Sequence, residues 1–421
     1  MEGFAAHFEV RILIERGAGR RQQHHRFLQA RGFGVARRVV DGERQQADDL
    51  VIDLAVQRVG EGVGRFADQL GLADVRPEFR QALDAAGLRL AAGDPVDAER
   101  LVDFVKFFAD DGIMTSNEQK RLSVAVIGLG SIGGIAAASL ADAGRHDVIG
   151  CARRAVSHLV LETPDKTVDT RFPVLTDPAE AKPVDWVLVV TKTQDTETAA
   201  PWLKRLCDAH TRVAVLQNGI DHVERVGPLA NGAAIVPVIV YYNGERFGPE
   251  RVRLRYVSDH ELAAPDDANG RAFAALMDGT PLRARTDGDF VTLKWRKLLL
   301  NAVANPITAL TMQRQAVMHR PDIHALSIDV LKEAVAVARA DGAKVAGDEP
   351  ERIMEKLLTF APELGTSMYF DRLAGRKFEV EALTGAIVAA GERYGIPTPL
   401  NRMLLTLLRA INDAPPAPKP A

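Results

Sequence analysis

Cysteine is nearly missing from this 421-residue chain: Cys151 and Cys207 are the only two. Two cysteines 56 residues apart build no disulfide framework and no CxxC metal pair, and so few fit a reducing compartment. There is no run of about 18 apolar residues to span a bilayer. The N-terminus, with Glu2, His7 and Glu9, lacks the basic and apolar regions of a signal peptide. The expectation is a cytoplasmic protein with no membrane partner. A net charge of −3 offers no general electrostatic attraction for nucleic acid, so none is expected as a partner. No HExxH, GxSxG or metal-spaced Cys/His set occurs, and no metal is expected. What remains is an ordinary globular composition, 47% hydrophobic and 26% charged, in a chain long enough for two or three domains.

The composition is uneven along the chain. Residues 1–113 hold 15 Arg against one Lys, whereas 114–421 hold 25 Arg and 12 Lys. All five Tyr, all three Trp and both Cys lie after residue 113. The segment 17–38 has no clear helical or strand period, and "MTSNEQKRLSVAVIGLG" reads like a true beginning at Met114. Residues 1–113 are therefore expected to be an extension of doubtful origin, poorly ordered or translated from a misplaced start codon. The competing reading is a regulatory or partner-binding module. His24-His25 falls in this segment and is not read as a ligand pair.

From residue 122 apolar strand-like runs alternate with helical segments. "LSVAVIGLG", "HDVIGCARR" (146–154), "VDWVLVVTKT" (184–193) and "TRVAVLQNG" (211–219) read as buried parallel strands, with a helix through Ala143 after the first. That alternation predicts right-handed βαβ units and an α/β, doubly wound, Rossmann-type parallel sheet over 122–289. Further strands are expected over 233–256 with a turn at Asn243-Gly244. Helical periodicity takes over past about 290, at 325–340, 350–360 and 378–394, giving an all-helical domain over 290–410. The Pro- and Ala-rich residues 412–421 are expected to be a disordered tail.

Gly128, Gly130 and Gly133 stand in G-x-G-x-x-G spacing between a strand and a helix. In that setting the first glycine makes the tight turn and the second admits a pyrophosphate close to the backbone. The third lets the helix pack on the sheet, while the helix N-terminus faces the anion. Gly128, Leu129, Gly130, Ser131, Ile132 and Gly133 are thus candidate cofactor-binding residues. About 20 residues on, where an NAD site would place an acidic residue, stand Cys151-Ala152-Arg153-Arg154. Guanidiniums there would bind a 2′-phosphate, which points to NADPH as cofactor and to Arg153 as its contact. Lys192 and Asn218 follow the third and fourth strands, where open α/β sheets bind ligands, and are candidates to line the same crevice.

"RKLLLNAVANPITAL" (296–310) places Lys297, Asn301 and Asn305 at four-residue intervals, on one face of an otherwise apolar helix. Such groups must be paired or face something polar. Pro306 is expected to limit regular helix at Asn305.

On "GLGSIGG", "TKTQDT", "LQNG", "KLLLNAVANPITAL" and "SMYFDRLAGRKFEVEALTG" (367–385), residues 122–410 resemble ketopantoate reductases, the NADPH-dependent 2-dehydropantoate 2-reductases of pantothenate synthesis. The resemblance implies a Rossmann domain followed by a helical domain like the C-terminal part of 6-phosphogluconate dehydrogenases, with a small keto acid substrate between them. It also implies Lys297 as catalytic lysine, Asn301 and Asn305 as substrate contacts and Ser367 as a contact to the substrate carboxylate. Glu379 is then the acidic partner of the catalytic machinery, Asn218 lies near the nicotinamide and Lys192 on the cofactor side. Gln315 stands where many members carry asparagine, which bears on fine substrate selection. A lysine that gives its proton to a developing alkoxide benefits from a pKa lowered by burial, and Glu379 would oppose that shift. Reduction of another small 2-keto or β-keto acid and non-catalytic NADPH sensing are the alternatives, and a homodimer is left open.

Overall fold

The computed structural model describes residues 121–414. Ahead of them it describes only strands β1 (His7–Arg11) and β2 (Phe27–Arg31), which pair antiparallel. The expectation for 1–113 otherwise lies outside the described residues, as does 415–421 of the expected tail.

Six parallel strands form the central sheet: β3 (Ser123–Ile127), β4 (Asp147–Cys151), β7 (Val174–Leu175), β8 (Trp186–Val189), β9 (Arg212–Val215) and β10 (Ala234–Pro237). Their spatial order is β7-β4-β3-β8-β9-β10. Taken as successive strands of the sheet, this is the 3-2-1-4-5-6 order of a dinucleotide fold, so the chain reverses direction between β3 and β8. Ligands bind such sheets in the crevice at that reversal. The central strands β3, β8 and β9 are buried on both faces, as their mostly Val, Ile, Leu and Ala content requires.

Helix α1 (Ser131–Ala143) is roofed by a second sheet. That sheet joins the hairpin of β5 (Leu159–Glu162) and β6 (Thr167–Thr170) to a hairpin of β12 (Asn243–Arg246) and β13 (Arg251–Arg255). With sheets on two sides, α1 is built of small residues: Gly133 through Leu140 are all buried. The turn expected at Asn243-Gly244 is not there. Both residues lie in β12, and the chain reverses over residues 247–250, where Phe247 N–H bonds to the Arg251 carbonyl and Gly248 has φ +96°. Gly244 is needed for closeness instead, since a Cβ there would stand 2.9 Å from Ile135 Cδ1 and 3.2 Å from the Ser131 backbone.

A three-stranded sheet of β11 (Ile239–Val240), β14 (Leu262–Pro265) and β15 (Ala284–Asp287) leads to the helical domain. After the short helices α2 (Ala200–Leu206), α3 (His222–Val226) and α4 (Ala268–Leu276), its axis is α5 (Phe290–Thr311), packed by α6 (Pro321–Ala340), α7 (Glu349–Leu358), α8 (Ser367–Leu373) and α10 (Pro399–Asp413), with α9 (Ala386–Tyr394) against α6. Helix α5 runs through Pro306, contrary to the expected break. A proline inside a helix costs about 3 kcal/mol. Ala302, Val303, Ala304, Ile307 and Ala309 on both sides of it are buried in one core, which offsets that loss. Residues 412 and 413, expected in a disordered tail, lie in α10, where the Asn412 side chain accepts from Phe378 N–H and donates to the Phe378 carbonyl.

Candidate active site

Between the sheet domain and α5 lies one cleft of about 2100 Å³. Every candidate residue of the sequence lines it except Gly133. The glycine turn after β3 forms one wall. Gly128 has φ +97°, a conformation that L side chains rarely adopt, and a Cβ on it would press on Thr191. A Cβ on Gly133 would lie 1.9 Å from the Gly128 carbonyl oxygen, so this glycine closes the turn from behind. A Cβ on Gly130 would meet nothing within 4 Å and would project into open space, where a ligand can approach the backbone. Arg153 and Arg154, just past β4, are exposed on the cleft, and neither bonds to another described residue. Cys151 beside them is buried, which pushes its thiol up to about 12 and leaves it unreactive.

On the opposite wall α5 presents Lys297, Asn301 and Asn305. Neither asparagine's side-chain amide bonds to another described residue, so the polar face inside an apolar helix is turned to the cleft. Ser367 is exposed in the first turn of α8, and the capping bond to Tyr369 N–H comes from Thr366 rather than from Ser367. Gln315, buried, donates from its amide to the Leu357 carbonyl and also borders the cleft.

The two walls meet through a chain of polar contacts. Lys297 Nζ donates to Asn218 Oδ1 at 3.1 Å, and Asn218 Nδ2 donates to Glu379 Oε2 at 2.9 Å. Glu379 is 6% exposed, so it is no surface partner of Arg376 or Lys377, and it also accepts from Thr193 N–H at 3.1 Å. Lys192 reaches across from the end of β8 to Glu379 at 3.4 Å and to Asp371 at 2.9 Å. Thus Lys192 and Asn218, read from the sequence as cofactor-side residues, both touch the carboxylate that comes from the helical domain. A single π-turn, Glu381–Gly385, follows Glu379, an irregularity frequent at functional sites.

Burial lowers the Lys297 pKa to about 8, and the Glu379 charge opposes the shift without cancelling it. For Glu379 burial pushes the pKa up, but the Lys192 charge, the Thr193 N–H and the Asn218 amide outweigh it and leave the carboxylate below its ordinary range. Desolvation likewise works against the Lys192 charge, and Glu379 and Asp371 together hold that ammonium above its ordinary value. Lys192 and Glu379 are therefore a stable ion pair at neutral pH, while Lys297 is the ammonium whose proton is loosely held. Such a cleft can bind an anionic small molecule, place it beside the glycine turn and deliver a proton to it.

Asp371 was missed in the sequence. It is 4% exposed and joins Lys192 to Arg376. A buried aspartate two residues before the α8 terminus carries no local signal of this role, because its Lys192 partner lies 179 residues away. Among the described residues no cluster could hold a metal ion and no helix is long and apolar enough to cross a membrane.

Comparison with known proteins agrees with this geometry. Residues 124–265 match the family model for ketopantoate reductase PanE/ApbA, and 289–412 match its C-terminal counterpart. The 2-dehydropantoate 2-reductase of Caulobacter vibrioides is 39% identical over 289 residues, 68% of this chain and 98% of that protein. That of Mycobacterium tuberculosis is 38% identical over 294 residues, 69% of this chain and 98% of the relative. A solved dimeric ketopantoate reductase from Staphylococcus aureus is 28% identical and superposes with a TM-score of 0.62, over 69% of this chain and 99% of that one. Sheet order, cleft and sequence thus agree, and the chain belongs to the ketopantoate reductase family, oxidoreductases that act on CH–OH groups and use a nicotinamide cofactor.

Proposed function

We propose that this chain reduces 2-dehydropantoate to pantoate with NADPH, in the cytoplasm, as a step of pantothenate and coenzyme A synthesis. The observation that carries the reading is the α5 face. A half-buried ammonium with its pKa lowered to about 8 and two unpartnered amides look across one cleft at a dinucleotide turn.

The residues present suit the cofactor. Gly130 leaves its backbone open to a pyrophosphate, the α1 N-terminus follows, and Arg153 stands where an acidic residue would select NAD. When bound, the nicotinamide would supply a hydride to the keto carbon. Lys297 polarises the keto oxygen and gives it a proton as the alkoxide develops, and Asn218 holds the lysine in place. Glu379 orients Asn218, and Lys192 keeps Glu379 ionised. Asn301 and Asn305 offer amides to the substrate hydroxyl and carboxylate, and the Ser367 hydroxyl serves the carboxylate. Apolar cleft residues Ile353, Leu357 and Phe370 suit the two methyl groups of a branched substrate. A second reading, another small 2-keto or β-keto acid, draws on Gln315, whose amide is already committed to Leu357. By analogy with the dimeric staphylococcal relative we also assign a homodimer, which sedimentation of the pure protein checks.

The deciding experiment is a steady-state assay with 2-dehydropantoate and a panel of 2-keto and β-keto acids, each with NADPH and NADH. The highest kcat/KM is expected for 2-dehydropantoate with NADPH. A higher value for another acid, or equal use of the two cofactors, would replace the corresponding half of the proposal.

A further inference from the structure

A second, much smaller cavity touches Lys297 and Asn301, both of which also line the main cleft. Its other polar walls are Gln217, Asn218 and His222, from the segment that follows β9, and Lys294 of α5, whose ammonium donates to the Ile220 carbonyl. The space open to the centre of a water-sized sphere is about 10 Å³, close to what one water needs.

His222 is 2% exposed. Its Nε2 lies 2.8 Å from the Gln217 carbonyl oxygen, which can only accept, so Nε2 carries the hydrogen and Nδ1 is left as an acceptor. Nδ1 is buried and has no partner among the described residues. Buried acceptors in native proteins are satisfied by protein or by ordered water. Burial also holds the His222 pKa down at about 4, so the ring is neutral and Nδ1 keeps its lone pair at neutral pH.

We infer that one ordered water occupies this cavity, accepts a hydrogen bond from the Lys297 ammonium and donates one to His222 Nδ1, which makes His222 a positioning residue for the proton donor. The inference rests on the proposed role of Lys297. An ammonium has three N–H bonds. One goes to Asn218 Oδ1 and the second to the water, so the third is left for the substrate oxygen. When that third proton moves to the alkoxide, the neutral amine keeps its other two hydrogens where they were, and no reorganisation accompanies the transfer. The other charged groups around the pair are accounted for. Glu379 is reached through Asn218, with Lys192 behind it. Asp221 and Arg225 pair with each other, and Lys294 donates to the Ile220 carbonyl.

Two substitutions separate this role from a structural tie to Gln217. In His222→Gln the amide nitrogen can still donate to the Gln217 carbonyl, but the acceptor at the Nδ1 position is gone. In His222→Asn the amide oxygen takes the Nδ1 position and the Gln217 bond is lost. His222→Gln is expected to lower kcat by about 10-fold or more and to move the alkaline limb of the kcat profile to lower pH, because the water favours the charged ammonium. NADPH affinity should be unchanged, and His222→Asn should keep the limb near its original position. A parental limb in both variants, or restoration by glutamine and not by asparagine, would overturn the inference. So would a crystal structure of the unliganded protein without solvent density between His222 Nδ1 and Lys297 Nζ. That density does not depend on turnover, so it separates failure of the water from failure of Lys297 as proton donor.

Discussion

The two walls of the cleft are built on different principles. The wall after β3 works through backbone: Gly128 supplies a conformation, Gly133 a close approach and Gly130 an opening. Its charges, Arg153 and Arg154, have no partner among the described residues. The α5 wall works through side chains of ionisable or amide type, set on a rigid helix whose other faces are core. Burial lowers the pKa of its key ammonium, and a relay of bonds through Asn218 to Glu379 holds that group in place. A backbone site fits an invariant ligand part such as a pyrophosphate. A side-chain site can be tuned in pKa and selectivity by single residues.

The sharpest test of that contrast is Lys297→Ala. As proton donor its loss should lower kcat by roughly 10²–10⁴-fold while NADPH affinity, measured by fluorescence titration, stays nearly constant. A mere rise in KM would make the lysine a binding residue. The pH profile checks the same point with the sign fixed in advance. The reactive form is protonated, so kcat should be level below the Lys297 pKa and fall as pH rises through about 8. Tight substrate binding would move that limb, but its direction stays the same.

The glycines offer the next largest effect. Gly133→Ala must displace the Gly128 carbonyl and should lower Tm markedly or abolish soluble expression. Gly130→Ala meets no protein atom and should leave Tm almost unchanged while raising the NADPH KM. Equal loss of Tm in the two variants would remove the distinction between a packing glycine and a ligand glycine.

Arg153→Ala should weaken NADPH by about 1.5–3 kcal/mol, the loss of a charge-assisted contact, and change NADH much less. Parallel KM changes for both cofactors would take Arg153 away from the 2′-phosphate. The smallest effect is expected for a chain that begins at Met114. The Caulobacter relative aligns with 68% of this chain yet with 98% of its own length, and turnover should be preserved. Loss of activity on deletion would give residues 1–113 a function.

Local signals in the sequence were legible where one stretch of chain settled the outcome. G-x-G-x-x-G between an apolar strand and a small-residue helix identified the turn, and four-residue spacing put Lys297, Asn301 and Asn305 on one face. What could not be read depended on distant neighbours. Asn243-Gly244 has the composition of a turn, yet Ile135 and Ser131 of α1 press against Gly244 and the pair became strand. Pro306 has the local chemistry of a helix end, yet the core on both sides of it carries α5 onward. Asp371 and His222 acquire their surroundings only when segments far apart in sequence meet.

Lys192, held by Asp371 and Glu379, fastens the sheet domain to the helical domain at the floor of the cleft. Gln194, two residues on, adds a bond to the Lys377 carbonyl, and Gly219 backs directly onto the Ala382 carbonyl. Both domains therefore touch the carboxylate that orients Asn218, and a change in their packing would reach Lys297 through two hydrogen bonds.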